Sequence, residues 1–147
     1  DGGKTKIGLE STIVDLTNNI SILRPGGIAI ERLEKVLLRK LKLKKPLKNV
    51  KSPGQLGFHY SPGVPVRLNA KYPKKNEAFL QFLGKTKDKN NYFALTKNGN
   101  MREAAKNLFS ILRLIKKKGY SSIAVSKIPN QGLGVAINDR LKKASYK

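Results

Sequence analysis

His59 and Tyr60 stand side by side within KSPGQLGFHYSP, Lys51 to Pro62, the segment that carries the only histidine of the chain. Its prolines and glycines fit neither a helix nor a regular strand, so imidazole and phenol sit in a loop. Ordered loops carry function disproportionately, whereas a polar loop residue without further role is the plainer reading. A second candidate is Arg24-Pro25-Gly26-Gly27. An arginine at a strand end, followed by a turn that launches a helix, can clamp a phosphate or carboxylate bidentately. The bland alternative is a surface arginine before a turn. Ser11 and Thr12 offer hydroxyls at a strand start, suited to a polar ligand but also common in strands.

Other titratable groups, Glu10, Asp15 and Asp139, are scattered along the chain and none has the spacing of a metal motif such as HExxH. Gly132-Leu133-Gly134 completes neither GxGxxG nor a P-loop. It reads instead as a tight turn that starts the last helix.

The elements that must position these residues follow from periodicity. Ser11–Leu16 and Ile20–Leu23 read as two strands joined by Thr17-Asn18-Asn19, a hairpin. Ile30, Leu33, Val36, Leu37 and Leu41 then recur with helical spacing. From Leu43 to Ser61 the composition turns to Lys, Pro, Gly and Ser, the mark of a linker. Val64, Val66 and Leu68 alternate as a strand, with Pro65 favouring a sheet edge. A short helix is expected over Asn76–Leu83 and a strand over Tyr92–Thr96.

The clearest element is a helix capped by Asn100, with Glu103 three residues on as in a capping box and an apolar face from Met101 to Ile115. Lys116–Lys118 suit its negative end and Gly119 its stop. Ile123-Ala124-Val125 reads as a strand covered on both faces, and a final helix carries Val135, Ile137, Leu141 and Ala144. Alternating strand and helix from Val64 onward implies a small α/β layer domain.

The 147 residues suffice for one domain, or one domain and part of another. There is no cysteine, hence no disulfide or thiolate metal site, and no apolar run long enough to span a membrane. Together with a start that is unlike a signal peptide, these features point to a cytoplasmic protein. Thirty-one Lys and Arg against nine Asp and Glu give a formal charge of +22, which raises nucleic-acid binding. The basic residues are nevertheless spread from Lys4 to Lys147, and the densest run, Lys35 to Lys51, has no interleaved aromatic residue to stack on a base. A solvated lysine surface is the competing reading.

Taken in order, GLESTIVDL, ILRPGGI, SPGQLGFHYSP, EAAKNLFSILR and GLGVAINDRL resemble the threonylcarbamoyl-AMP synthase family in its long, two-domain form. The resemblance spans nearly the whole chain. It implies an α/β fold in which residues 1–42 are the last hairpin and helix of a YrdC-like catalytic domain, 43–62 a linker and lid, and 63–147 a Rossmann-like C-terminal domain. The implied substrates are ATP, L-threonine and bicarbonate, with Mg²⁺, and the product serves threonylcarbamoyladenosine modification of tRNA. Residue by residue, Ser11 matches a threonine-binding position, Arg24 and Tyr60 match ATP-binding positions, and Ser52 and His59 would support the lid.

The KxR and SxN blocks of the family's YrdC-like domain do not occur in these 147 residues. The expectation is therefore a C-terminal portion, inactive alone, whose partners are a YrdC-like region or separate chain and the tRNA-modification machinery. A two-stranded hairpin alone is marginal in water, which predicts weak order over residues 1 to about 45. The rivals are a non-catalytic basic module that binds RNA or tRNA and a regulatory α/β partner.

Overall fold

A computed structural model describes residues 7–17, 19–44, 62–84 and 90–145. Strands β1 (Ile13–Asp15) and β2 (Ser21–Arg24) pair antiparallel, with Val14 opposite Ile22, Asp15 opposite Ser21 and an irregularity between Ile13 and Val14. Asp15 closes the expected hairpin: its carboxylate accepts from the Thr17 N–H at 3.0 Å and the Thr17 hydroxyl at 2.6 Å. Helix α1 (Ile30–Leu37) follows and crosses to β3 (Lys42–Leu43), which lies parallel to β2.

The hairpin is thus not left as two strands, contrary to expectation; a third strand completes a sheet in the order β1-β2-β3. The new strand takes in Leu43, which composition alone placed in the linker. The first helix is also shorter than its apolar spacing suggests. It ends at Leu38, whose φ of 52° is left-handed, and Glu34 then accepts from the Leu41 N–H at 2.9 Å, turning the chain into β3.

A second sheet holds β4 (Val66–Arg67), β5 (Glu77–Leu83), β6 (Tyr92–Thr96) and β7 (Ser122–Val125) in the order β4-β7-β5-β6, all parallel. Segment 77–83 is a strand, and the helix expected there is wrong. EAFLQFL has apolar residues at both helical and alternate spacing. In an interior parallel strand both faces are covered, so the run is nearly continuous and periodicity cannot separate the two cases. Pro65 does precede an edge strand, and Ile123–Val125 lies in an interior one, as read from sequence.

Helices α2 (Met101–Lys117) and α3 (Leu133–Ala144) cover one face of this sheet. Leu80, Leu95, Ile123 and Val125 meet Leu108, Ile115, Ile137 and Leu141 in the main core. The opposite face carries a smaller cluster of Ala70, Phe79 and Ala124, with Tyr92 edge-on to Phe79 at 5.2 Å. Asn100 caps α2 as expected, accepting from the N–H groups of Arg102 and Glu103 at 2.9 and 3.1 Å.

The return arm of the capping box differs from expectation. The Asn100 N–H goes to the buried Thr96 hydroxyl at 3.0 Å, and that hydroxyl donates to Glu103 at 2.6 Å. Thr96, at the end of β6, therefore relays the bond.

The two sheets are joined by residues ahead of β1. Ile7 and Leu9 pack onto the main core, and Gly8, at φ +74°, lies so close to α2 that a Cβ would stand 2.6 Å from the Lys106 Cα. Residues 7–9 are accordingly packed against the second sheet's core and α2.

Candidate functional site

The approach to β1 and the turn after β2 are bound to each other. Arg24, at the last position of β2 and only 9% exposed, donates from Nε and Nη2 to the Ser11 carbonyl oxygen at 3.2 and 3.1 Å. The Gly27 N–H donates to the Glu10 carbonyl at 2.8 Å. Thr12 completes the seam, its hydroxyl donating to the Ile28 carbonyl at 2.7 Å and accepting from the Ile28 N–H at 3.0 Å.

Two residues singled out from sequence, Ser11 and Arg24, are thereby brought into direct contact, while the serine itself is exposed. Gly26 is required by this closeness. A Cβ there would meet the Glu10 carbonyl oxygen at 2.3 Å and the Ser11 carbonyl carbon at 2.5 Å.

α3 reaches into the same seam. Arg140, 1% exposed, donates from Nε to Glu10 at 2.9 Å and from Nη2 to the Pro25 carbonyl at 3.1 Å, with Asp139 on Nη1. Asp139 also accepts from Lys143 at 2.8 Å. Arg140 was not apparent as a functional candidate from sequence. Its signal was a charge three residues after Ile137 and four after Ala136, on the stripe of α3 that faces the core.

A second tie runs from α1: the Glu31 carboxylate accepts from the Gly132 N–H at 2.9 Å, just ahead of α3. That carboxylate occupies the place where a phosphate would meet the Gly132 amide of a cradle. Gly132, at φ +55°, turns the chain into α3, as the turn reading expected, and Gly134 lies so close to Pro129 that a Cβ would stand 1.9 Å from its carbonyl oxygen.

Asp15 and Glu77 are also engaged in structure. The Thr17 hydroxyl, then Lys44 at 2.9 Å, hold the Asp15 carboxyl well below the usual carboxylate range. Burial pushes Glu77 up, but bonds from Arg67 at 2.6 Å, the Lys74 N–H and Ser122 outweigh it and leave the group lowered. Among the described residues no three His, Asp or Glu side chains converge on a point that could hold a metal. No helix among them is long and apolar enough to cross a membrane. Ser52, His59 and Tyr60 lie outside the described residues.

Residues 28–145 match the family described as threonylcarbamoyl-AMP synthase, C-terminal domain. Three curated relatives are each named threonylcarbamoyl-AMP synthase. The Pyrococcus abyssi protein is 31% identical over 99% of this chain and 48% of its own length. Those of Bacillus subtilis and Schizosaccharomyces pombe are 29% and 30% identical over 99% of this chain and 47% and 44% of theirs.

In three dimensions the chain resembles P. abyssi Sua5 complexed with L-threonine, with a TM-score of 0.82, 31% identity and coverage of 99% of this chain and 48% of that one. It also resembles a variant of P. abyssi Sua5 in which a histidine and the tyrosine after it are both alanine, with a TM-score of 0.78 at 30% identity over 99% of this chain and 47% of that one. The chain spans about half the length of the curated relatives it matches.

Proposed function

The chain belongs to the threonylcarbamoyl-AMP synthase C-terminal domain family, and on that premise we propose that it works as part of an enzyme making threonylcarbamoyl-AMP from ATP, L-threonine and bicarbonate. The threonine amine and bicarbonate condense to a carbamate with loss of water. A carbamate oxygen then attacks the α-phosphorus of ATP, the bond to the β-phosphate bridging oxygen breaks, and pyrophosphate leaves. The product supplies threonylcarbamoyladenosine modification of tRNA.

In this reading residues 1–42 complete a YrdC-like catalytic domain, 43–62 form a lid, and 63–147 are a Rossmann-like domain. The Ser11 hydroxyl binds threonine and Arg24 acts in the ATP site. Ser52, His59 and Tyr60 belong to the lid, with Tyr60 against the nucleotide; a lid protects a reactive acyl-adenylate from water. A relative solved with its own consecutive histidine and tyrosine replaced gives this pairing support. Mg²⁺ would enter with the ATP phosphates and neutralise part of their charge.

The observation that supports the proposal is the bond of Arg24 to the Ser11 carbonyl, which brings the residues proposed for ATP and for threonine into one seam. The test is pyrophosphate release from ATP with L-threonine and bicarbonate, by this chain alone and by the chain joined to the N-terminal half of a relative. Release by the joined protein alone is the expected result. Silence in both, with the chain folded, would remove the catalytic reading.

A second reading, tRNA binding, draws on the exposed Lys35 of α1, Arg39 and Lys40 of the connection after it, and Lys42 of β3. A basic patch of this kind neutralises phosphates without reading sequence.

A further inference from the structure

We propose that Arg140 is a positioning residue for the Ser11–Arg24 seam, so that the last helix of the chain holds the substrate-binding strand end in place. Its guanidinium touches the immediate neighbour of each seam residue. Nε binds the side chain of Glu10, which precedes Ser11, and Nη2 binds the carbonyl of Pro25, which follows Arg24.

The planar fork sets the distance between those two partners, which a single flexible ammonium cannot do. Asp139, on the same turn of α3, holds the remaining nitrogen Nη1 and so fixes the plane. At 1% exposure the group is shielded from water, where a charge-assisted hydrogen bond is at its strongest. Arg24 fixes the seam from the β2 side and Arg140 from the α3 side. Glu10 connects them, because its carbonyl accepts from the Gly27 N–H while its carboxylate accepts from Arg140.

The inference rests on the proposed reading for what the seam binds, not for how the seam is held. The decisive measurement is therefore made on the 147-residue chain without substrates. Solvent exchange of the Arg24 Nε–H is followed by NMR, with the amides of Leu108 and Ile115 as core references. Arg140→Lys keeps the charge but cannot span both partners. It is expected to speed Arg24 exchange by about tenfold or more, the weight of one charge-assisted hydrogen bond, and to leave the core amides unchanged.

Unchanged Arg24 exchange would overturn the proposal, and so would equal acceleration across the core, which would make Arg140 a general packing residue. Should Arg140→Lys fail to fold, Glu10→Gln removes the charge of the partly exposed partner only. A shift in the same direction is expected there, and none would overturn the idea. In the joined enzyme, Arg140→Lys should raise the KM for ATP or L-threonine with core protection intact; unchanged KM values would overturn the role in substrate binding. An inactive parent enzyme would instead count against the catalytic reading, leaving the exchange result to decide the positioning role.

Discussion

Arg24 places two donors on one acceptor, the carbonyl oxygen of Ser11, at 3.2 and 3.1 Å. Because the acceptor belongs to the main chain, the bond survives any change of the serine side chain. Ser11→Ala should therefore leave stability within about 0.5 kcal/mol while raising the KM for L-threonine in the joined enzyme. Arg24→Ala removes the bond itself. It should cost about 1.5–3 kcal/mol of stability in urea titrations and weaken ATP use. Equal loss of threonine and ATP use from both variants would show that the two residues do not divide the substrates as proposed.

Gly26 and Gly27 are neighbours with opposite tolerances. A Cβ at Gly26 would overlap the Glu10 carbonyl oxygen at 2.3 Å, whereas at Gly27 it would meet only side-chain atoms of Ile7 at 3.6 Å and the Glu10 oxygen at 3.7 Å. Gly26→Ala should destabilise by about 1–3 kcal/mol, the usual cost of overpacking. Gly27→Ala should be close to neutral, and thermal melts of the pair settle the comparison.

Thr96 carries three bonds at the start of α2, donating to Glu103 and accepting from the Asn98 and Asn100 N–H groups at 3.3 and 3.0 Å. Thr96→Val keeps the shape and deletes all three. A loss of about 1–3 kcal/mol is expected from the amides and carboxylate left without this partner. Hydrogen exchange should rise first in residues 98–103.

Acid should loosen the first sheet through Asp15. The Thr17 hydroxyl and Lys44 lower its carboxyl in the folded state, so the unfolded chain takes up the proton first as pH falls. The contribution is whole above about pH 5 and is lost as pH drops through about 4 and below. Asp15→Asn should flatten the fall in urea midpoint between pH 5 and pH 3 relative to the parent chain. Glu77, also lowered, supplies a similar slope from the second sheet.

Binding of tRNA through the exposed basic residues between Lys35 and Lys42 should weaken steeply with salt. Each phosphate contact contributes roughly 0.7 to 0.9 to the slope of log affinity against log salt. Replacing Lys35, Arg39, Lys40 and Lys42 with glutamine should lower that slope measurably in filter-binding assays. An unchanged slope would place any tRNA contact elsewhere.

Sequence alone determined the features that are local. Asn100 and Gly119 bound α2 because a cap and a left-handed stop act within a few residues, and Thr17 closes a hairpin next to Asp15 for the same reason. The ordered motif blocks likewise carried the family without any coordinates.

Tertiary structure decided what depends on a distant partner. Residues 77–83 became a strand because β7 and β6 cover their edges and the two faces are buried, an environment that apolar spacing does not reveal. The hairpin gained β3 through a crossover helix, and Thr96 entered the capping of α2 from the end of another element. Arg140 stands 130 positions from Glu10 and 115 from Pro25. Only the folded chain brings a buried guanidinium to both, because the desolvated charge must find its acceptors wherever packing places them.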